Sequence, residues 1–290
     1  MLVYVNGAFV PKADAKVSVF DHGYLYGDGI YETLRAYQGM LFLLDKHLAR
    51  LKHSADSLFL KLPLTLDRIG DAMKETVAKN GLGDAYVRMQ ISRGPGEIGL
   101  DPALCPEPTM VIAAKPFKDY PADLFECGVF TSIVNTRRNH PLALDPSIKG
   151  TNFLNNILAK IESIKAGAYE AIMLNWEGHV AEGTISNIFH VKSGVLFTPS
   201  LKTGILEGVT RGLVLELARR EHVETRETLI SPAELFDADE CFITNTTMEI
   251  MPVTRIDNRT VGKGAPGPVT KALRQAYKRE VLACSRTQAS

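Results

Sequence analysis

Lys149 stands in Pro146-Ser-Ile-Lys-Gly-Thr-Asn, at the end of a polar loop and just ahead of a patterned helix that Asn152 could help cap. A lysine held on rigid flanks and withdrawn from water becomes less basic, and its amine can then form a Schiff base with a carbonyl; spacing alone equally allows a solvent-exposed lysine here. Glu182, in His179-Val-Ala-Glu-Gly-Thr-Ile-Ser-Asn, lies between predicted strands. Its carboxylate could pair with a protonated ring nitrogen or simply occupy a turn. Gly204-Ile-Leu-Glu-Gly-Val-Thr-Arg leads directly into a helix, which places Val209 and Thr210 in a first turn. Unpaired N–H groups, the positive helix end and a hydroxyl together suit a phosphate. Thr210 could equally do no more than cap the helix. Thr246 and Thr247, in Asn245-Thr-Thr-Met-Glu, follow a buried strand and offer further anion contacts, or an ordinary strand-to-loop turn. Arg50 lies beside the apolar stripe of a helix, where spacing alone makes it a solvated surface arginine.

Other patterns fail on their surroundings. Gly94-Pro-Gly-Glu-Ile-Gly matches G-x-G-x-x-G after a predicted strand. A dinucleotide site needs a helix to begin in that loop, and Pro102, Pro106 and Pro108 deny it one. The segment therefore reads as a surface or active-site loop. There is no Walker A motif and no G-x-S-x-G elbow. The histidines form no H-x-x-x-H pair and no cluster with cysteine, so no metal site is expected.

The elements that must position these residues belong to a mixed α/β (α+β) chain. At 290 residues, with 45% hydrophobic and 23% charged side chains, the chain can bury two cores. Lys+Arg and Asp+Glu are both 33, which argues against a phosphate-backbone ligand. No apolar run reaches transmembrane length and the first residues do not form a signal peptide. Cys105, Cys127, Cys241 and Cys284 are scattered and read as reduced, buried cytoplasmic thiols. A hairpin is expected around Asn6-Gly7, with strands at 29–36, 40–44, 85–92 and 110–115. Two helices fall between them, one marked by Leu48, Leu51, Ala55 and Leu58, the other running from Thr65 to Asn80-Gly81. A small N-terminal domain over 1–118, a linker over 119–127 and a larger C-terminal domain over 128–290 carrying Lys149 follow from this. In the second domain, helices are expected over about 151–166, 208–221 and 268–283. The first should turn Phe153, Ile157, Ile161 and Ile164 to one face. Strands are expected at 129–135, 171–175, 187–191, 195–198 and 241–245.

Taken together, the segments resemble the class IV aminotransferases, the pyridoxal-phosphate enzymes of fold type IV, almost end to end. The resemblance is carried by Phe20-Asp-His-Gly-Tyr-Leu-Tyr-Gly-Asp-Gly-Ile-Tyr-Glu-Thr, His47-Leu-Ala-Arg-Leu, Ile148-Lys-Gly-Thr-Asn-Phe-Leu-Asn-Asn, Glu182-Gly-Thr-Ile-Ser-Asn-Ile-Phe, Gly208-Val-Thr-Arg and Asn245-Thr-Thr, in the family's order. It implies a two-domain, D-amino acid aminotransferase-like architecture and a Schiff base between Lys149 and pyridoxal 5'-phosphate. Arg50, Val209, Thr210, Thr246 and Thr247 would surround the phosphate, Glu182 would face the pyridine nitrogen, and Leu206 would pack beside the ring. Tyr86-Val-Arg88 is similar to the tyrosine-x-arginine motif of branched-chain enzymes, so Tyr86 and Arg88 would bind substrate carboxylate and Tyr31 would line the side-chain pocket. The implied reaction is ping-pong transfer between branched-chain L-amino acids and 2-oxoglutarate, in amino-acid biosynthesis, by a cytoplasmic homodimer or larger homo-oligomer. D-amino acid transamination, aminodeoxychorismate lyase activity and (R)-amine transamination use the same scaffold; a non-catalytic cofactor-binding protein is a remoter alternative. Two positions depart from the pattern: Thr33 stands where many branched-chain enzymes have glycine, and Phe153 where many relatives have tyrosine.

Overall fold

A computed structural model describes residues 1–287 as two compact units. The first comprises Met1–Lys118 with Ile148–Asn152 and the chain from Ala283; the second comprises Asp119–Ser147 and Phe153–Leu282.

In the first unit, β1 (Leu2–Val5) and β2 (Ala8–Pro11) form the expected hairpin, turning on Asn6 and Gly7 at φ 46° and 96°. They are followed by α1 (His22–Tyr26), β3 (Gly29–Tyr37), β4 (Met40–Leu41), α2 (Leu44–Ser57), α3 (Leu66–Lys79), β5 (Ala85–Ser92) and β6 (Thr109–Pro116). The six strands lie in the order β2-β1-β6-β5-β3-β4, and every neighbouring pair is antiparallel. The strand expected over 40–44 ends at Leu41, because Leu43 turns the chain at φ 54° and Leu44 already opens α2. Thr65 caps α3 as its spacing predicts, accepting from the Arg68 N–H.

Alternation decides which residues reach the site. One face of the sheet carries Ile30, Leu34, Val87, Met89 and Ile91, which pack with Leu51 and Ala55 of α2 and Ile69, Met73 and Val77 of α3. Burying each such side chain contributes roughly 1.5–3 kcal/mol. The other face carries Tyr31, Thr33 and Arg35, directly opposite Gln90, Arg88 and Tyr86.

The second unit begins with α4 (Ala122–Cys127), a short helix inside the segment expected to be a bare linker, and β7 (Val129–Ile133). It continues through α5 (Leu154–Lys165), β8 (Glu170–Leu174), β9 (Val180–Gly183), β10 (Asn187–Lys192), β11 (Val195–Pro199), α6 (Val209–Arg220), β12 (Thr225–Thr228), α7 (Pro232–Phe236), β13 (Glu240–Asn245), β14 (Glu249–Ile256), β15 (Arg259–Thr260) and α8 (Pro268–Thr287). The strands form one mixed sheet in the order β12-β11-β10-β13-β14-β7-β8-β9, with β15 on β14. Phe189 and Phe242 stack across β10 and β13 with centroids 4.9 Å apart. The apolar stripe of α6, Leu213, Val214 and Leu217, is buried as expected. The stripe of α5 is not: Ile157, Ile161 and Ile164 face outward, because the small residues Ala159 and Ser163 are the buried ones. Cys241 is buried, whereas Cys127 is exposed. Among the described residues no helix is long and apolar enough to cross a membrane.

Candidate active site

The glycine- and aspartate-rich segment Phe20–Thr33 builds the entry to β3. Asp21 caps α1 by accepting from the Gly23 N–H at 2.8 Å. A side chain at Gly23 would put its Cβ 2.5 Å from that of Ser92, so only glycine lets α1 lie on β5. Asp28 takes a bidentate contact from Arg93 at 2.8 and 3.1 Å, and Arg93 also donates to the carbonyls of Leu58 and Phe59. These bonds set where β3 starts, and therefore where Tyr31 points.

Lys149 is fastened to this frame on both sides. Its N–H donates to Ser54 Oγ at 3.0 Å, its carbonyl accepts from the Tyr31 N–H at 3.0 Å, and Gly150 bridges Ile30. The lysine that the sequence assigns to the C-terminal domain thus belongs to the first unit, since its loop pairs with β3. Lys149 Nζ donates to Tyr31 Oη at 3.2 Å and lies 4.4 Å from the ring centroid. Arg88 Cζ lies 4.0 Å over the same ring. Burial pushes the Tyr31 phenol up, with the Arg88 cation opposing, so the hydroxyl stays protonated. Tyr86 shares this face, with Lys115 Nζ 5.0 Å from its ring.

Arg50 is not the solvated residue its spacing suggests. Its Nε and Nη2 donate to the two oxygens of Glu32 at 2.8 Å each, and Glu32 Oε2 also lies 2.7 Å from His47 Nδ1. Burial opposes the charge on Glu32, but Arg50 and His47 beside it hold the carboxyl well below the usual carboxylate range. Burial likewise lowers His47 despite the neighbouring carboxylate. Sequence reading missed Glu32 and His47. The available signal was a carboxylate among Ile30, Leu34 and Ala36 on the core side of β3, which requires a cation from the covering helix.

The second unit assembles the remaining candidates. Glu182, expected between strands, lies on β9, where every residue is buried. Its Oε1 accepts from Arg138 Nε at 2.7 Å; its Oε2 accepts from Asn187 Nδ2 at 3.3 Å and from the Leu206 N–H at 3.1 Å. Asn187 also donates to the Leu206 carbonyl at 2.9 Å. A Cβ on Gly208 would lie 1.9 Å from Asn187 Oδ1, so the glycine before α6 is required by this amide. Gly208 is the N-cap and supplies no side chain to the first-turn N–H groups of Val209 and Thr210. Asn187 pairs with Thr244 of β13, which leads to Thr246 and Thr247 in the turn before β14. The α6 start, Asn187 and that turn are therefore neighbours. Thr247 already uses its N–H and hydroxyl on Asn245 Oδ1, at 2.9 and 3.0 Å. Phe153 is the N-cap of α5. Sequence reading assigned no role to Arg138, whose partner Glu182 lies 44 positions away, or to Asn187, which lies five positions from Glu182. The loop at Gly94–Gly99 begins no α-helix; instead, Cβ atoms on Gly94 and Gly96 would meet the carbonyls of Glu107 and Leu104.

A family model described as amino-transferase class IV matches residues 29–256. A protein of Methanocaldococcus jannaschii, provisionally named a branched-chain-amino-acid aminotransferase, is 46% identical over 96% of this chain and 96% of its own length. The D-alanine aminotransferase of Bacillus licheniformis is 36% identical over 97% of this chain and 98% of its own. The crystal structure of the branched-chain amino acid aminotransferase from Thermobaculum terrenum, in its PLP-bound holo-form, superposes with a TM-score of 0.87, at 30% identity, covering 97% of this chain and 93% of the other.

Proposed function

The chain belongs to the class IV aminotransferase family, and from that premise we propose that it transfers amino groups between branched-chain L-amino acids and 2-oxoglutarate with pyridoxal 5'-phosphate. One observation supports the reading: Lys149 Nζ and Arg88 both lie against the Tyr31 ring, an amine and a guanidinium of the kind that can pair with a carboxylate.

The residues present fit the cofactor. Glu182 is a buried carboxylate directed by three donors, as a protonated pyridine nitrogen requires. The uncapped start of α6 offers Val209 and Thr210 to a phosphate. Thr246, Thr247 and Arg50 are assigned to the same phosphate, and Leu206 to the flank of the ring. When bound, the cofactor supplies an electron sink for the charge that develops at the substrate α-carbon. Lys149 would hold the cofactor through its ε-amine, and the same amine is the group that would take and return the proton at the substrate α-carbon. Tyr31 holds that amine through its hydroxyl. Arg88 and Tyr86 receive the substrate carboxylate, with the aliphatic chain against the Tyr31 ring.

Borohydride reduction followed by peptide mapping should mark Lys149, and a mark on another lysine would refute the assignment. A donor panel of L-Leu, L-Ile, L-Val, D-Ala, D-Glu and an (R)-arylamine should show conversion to the amine form of the cofactor with the three branched L-acids. A D-amino acid reading is favoured by one observation, Thr33 opposite Arg88 on the substrate face, and faster conversion with D-Ala would establish it. Lyase activity on aminodeoxychorismate would instead appear as pyruvate release without that conversion. We place the enzyme in branched-chain amino acid biosynthesis, as a homodimer in the cytoplasm, where free thiols such as Cys127 stay reduced.

A further inference from the structure

We propose that Arg138 is a positioning residue that fixes the direction and charge of Glu182, and thereby keeps the ring proton on the cofactor's nitrogen. The inference rests on the reading of Glu182 as that nitrogen's partner.

The geometry is a buried ion pair with a rigid backing. Arg138 Nε lies 2.7 Å from Glu182 Oε1, and the two side chains are 10% and 6% exposed. A carboxylate this deeply placed is costly without a cation beside it. Arginine supplies a charge that cannot be lost by deprotonation and a planar head whose direction is set by its bonds. The residue is anchored twice: Arg138 Nη1 donates to Asn155 Oδ1 at 3.3 Å, and the Arg138 N–H donates to the Leu174 carbonyl at the end of β8 at 2.9 Å. Asn155 is itself held, donating to the Arg137 carbonyl at 2.7 Å.

The two Glu182 oxygens therefore play different parts. Oε1 faces a permanent cation, whereas Oε2 faces two neutral donors, the Asn187 amide and the Leu206 N–H. A carboxylate already paired with a guanidinium gains less from capturing a further proton than an unpaired one does. The shared proton therefore stays on the pyridine nitrogen, where the electron sink needs it.

Wild type, R138K, R138M, E182Q and the double variant R138M/E182Q, each loaded with pyridoxal phosphate labelled with nitrogen-15 in the ring, test this in the resting enzyme. The nitrogen chemical shift reports protonation, and circular dichroism of each apo-protein reports folding. Wild type and R138K should give a pyridinium signal. In R138M the signal should move toward neutral pyridine, and cofactor binding should weaken about tenfold, the loss typical when an outer partner of a ligating side chain is removed. In the E182Q background R138M should move the signal no further. A wild-type shift in folded R138M, or an R138M effect undiminished by E182Q, would overturn the inference alone. An unchanged shift in E182Q would instead overturn the reading of Glu182 on which it rests.

Discussion

At Glu32 a carboxylate sits on the core face of a sheet, and the two groups that compensate it both come from α2. Replacing it by glutamine strands Arg50 and His47, and losing one partner of a buried pair costs about 3–5 kcal/mol. Glu32→Gln should therefore lower the urea midpoint strongly. The pH dependence follows from the directions of the shifts. His47 and Glu32 both titrate lower in the folded chain than their ordinary values of 6.5 and 4.5. In each case the unfolded chain binds the proton more readily, so the stabilisation is present above those values and lost as pH falls below them. Stability measured by denaturant titration should decline from about pH 6.5 downward and further below about pH 4.5. The decline below about pH 4.5 should flatten in the Glu32→Gln variant, whereas the decline set by His47 should not, because Glu32 opposes the lowering of His47 by burial. Tyr31→Phe isolates a different role. It removes the hydroxyl 3.2 Å from Lys149 Nζ but keeps the ring under Arg88. We expect kcat to fall by about a hundredfold, the scale of a misplaced proton-transfer group, with the thermal midpoint little changed. An unaltered kcat would remove Tyr31 from the positioning of the amine.

The start of α6 shows how one element ties together residues that the sequence leaves apart. Gly208→Ala would press its Cβ toward Asn187 Oδ1, and Asn187 also holds Glu182 and the Leu206 carbonyl. Overpacking of this kind costs about 1–3 kcal/mol. It should also weaken cofactor affinity, measured by dialysis and fluorescence, more than a Gly212→Ala control one turn later, where a Cβ meets nothing. Elements such as β5 and α3 were legible because their periodicity and caps are local: Ala85–Ser92 alternates cleanly and Thr65 caps its helix. β9 was not, since Val180–Gly183 is only four residues long and buried throughout, so no alternation marks it. For the site, local pattern left Lys149, Glu182 and the start of α6 each with an ordinary alternative, and only the family resemblance joined them; Arg138 pairs with a residue 44 positions away and no spacing rule connects them. The place of Lys149 in the first unit depends on its bonds to Ser54 and Tyr31 rather than on its neighbours in sequence.

At the scale of the whole molecule, α5 presents an apolar stripe on its outer side. Leu154, Ile157, Leu158, Ile161 and Ile164 are 43–75% exposed, while Ala159 and Ser163 take the inward positions. A helix that is apolar on its outer side as well as its inner one ordinarily has a second surface against it. We predict that in the proposed homodimer a second copy supplies that surface, since a two-fold axis lets one self-complementary patch cover both chains. Ile161→Asp places a charge in the middle of the stripe without touching the residues packed on the sheet. Sedimentation should show the variant as a monomer at concentrations where the unaltered chain is dimeric, with its far-ultraviolet dichroism preserved. Hydrogen exchange should rise along α5 in the variant and stay constant in β8 behind it. A variant that remains dimeric, with α5 exchanging as before, would mean that the subunits meet elsewhere and that this stripe is exposed in the assembled enzyme.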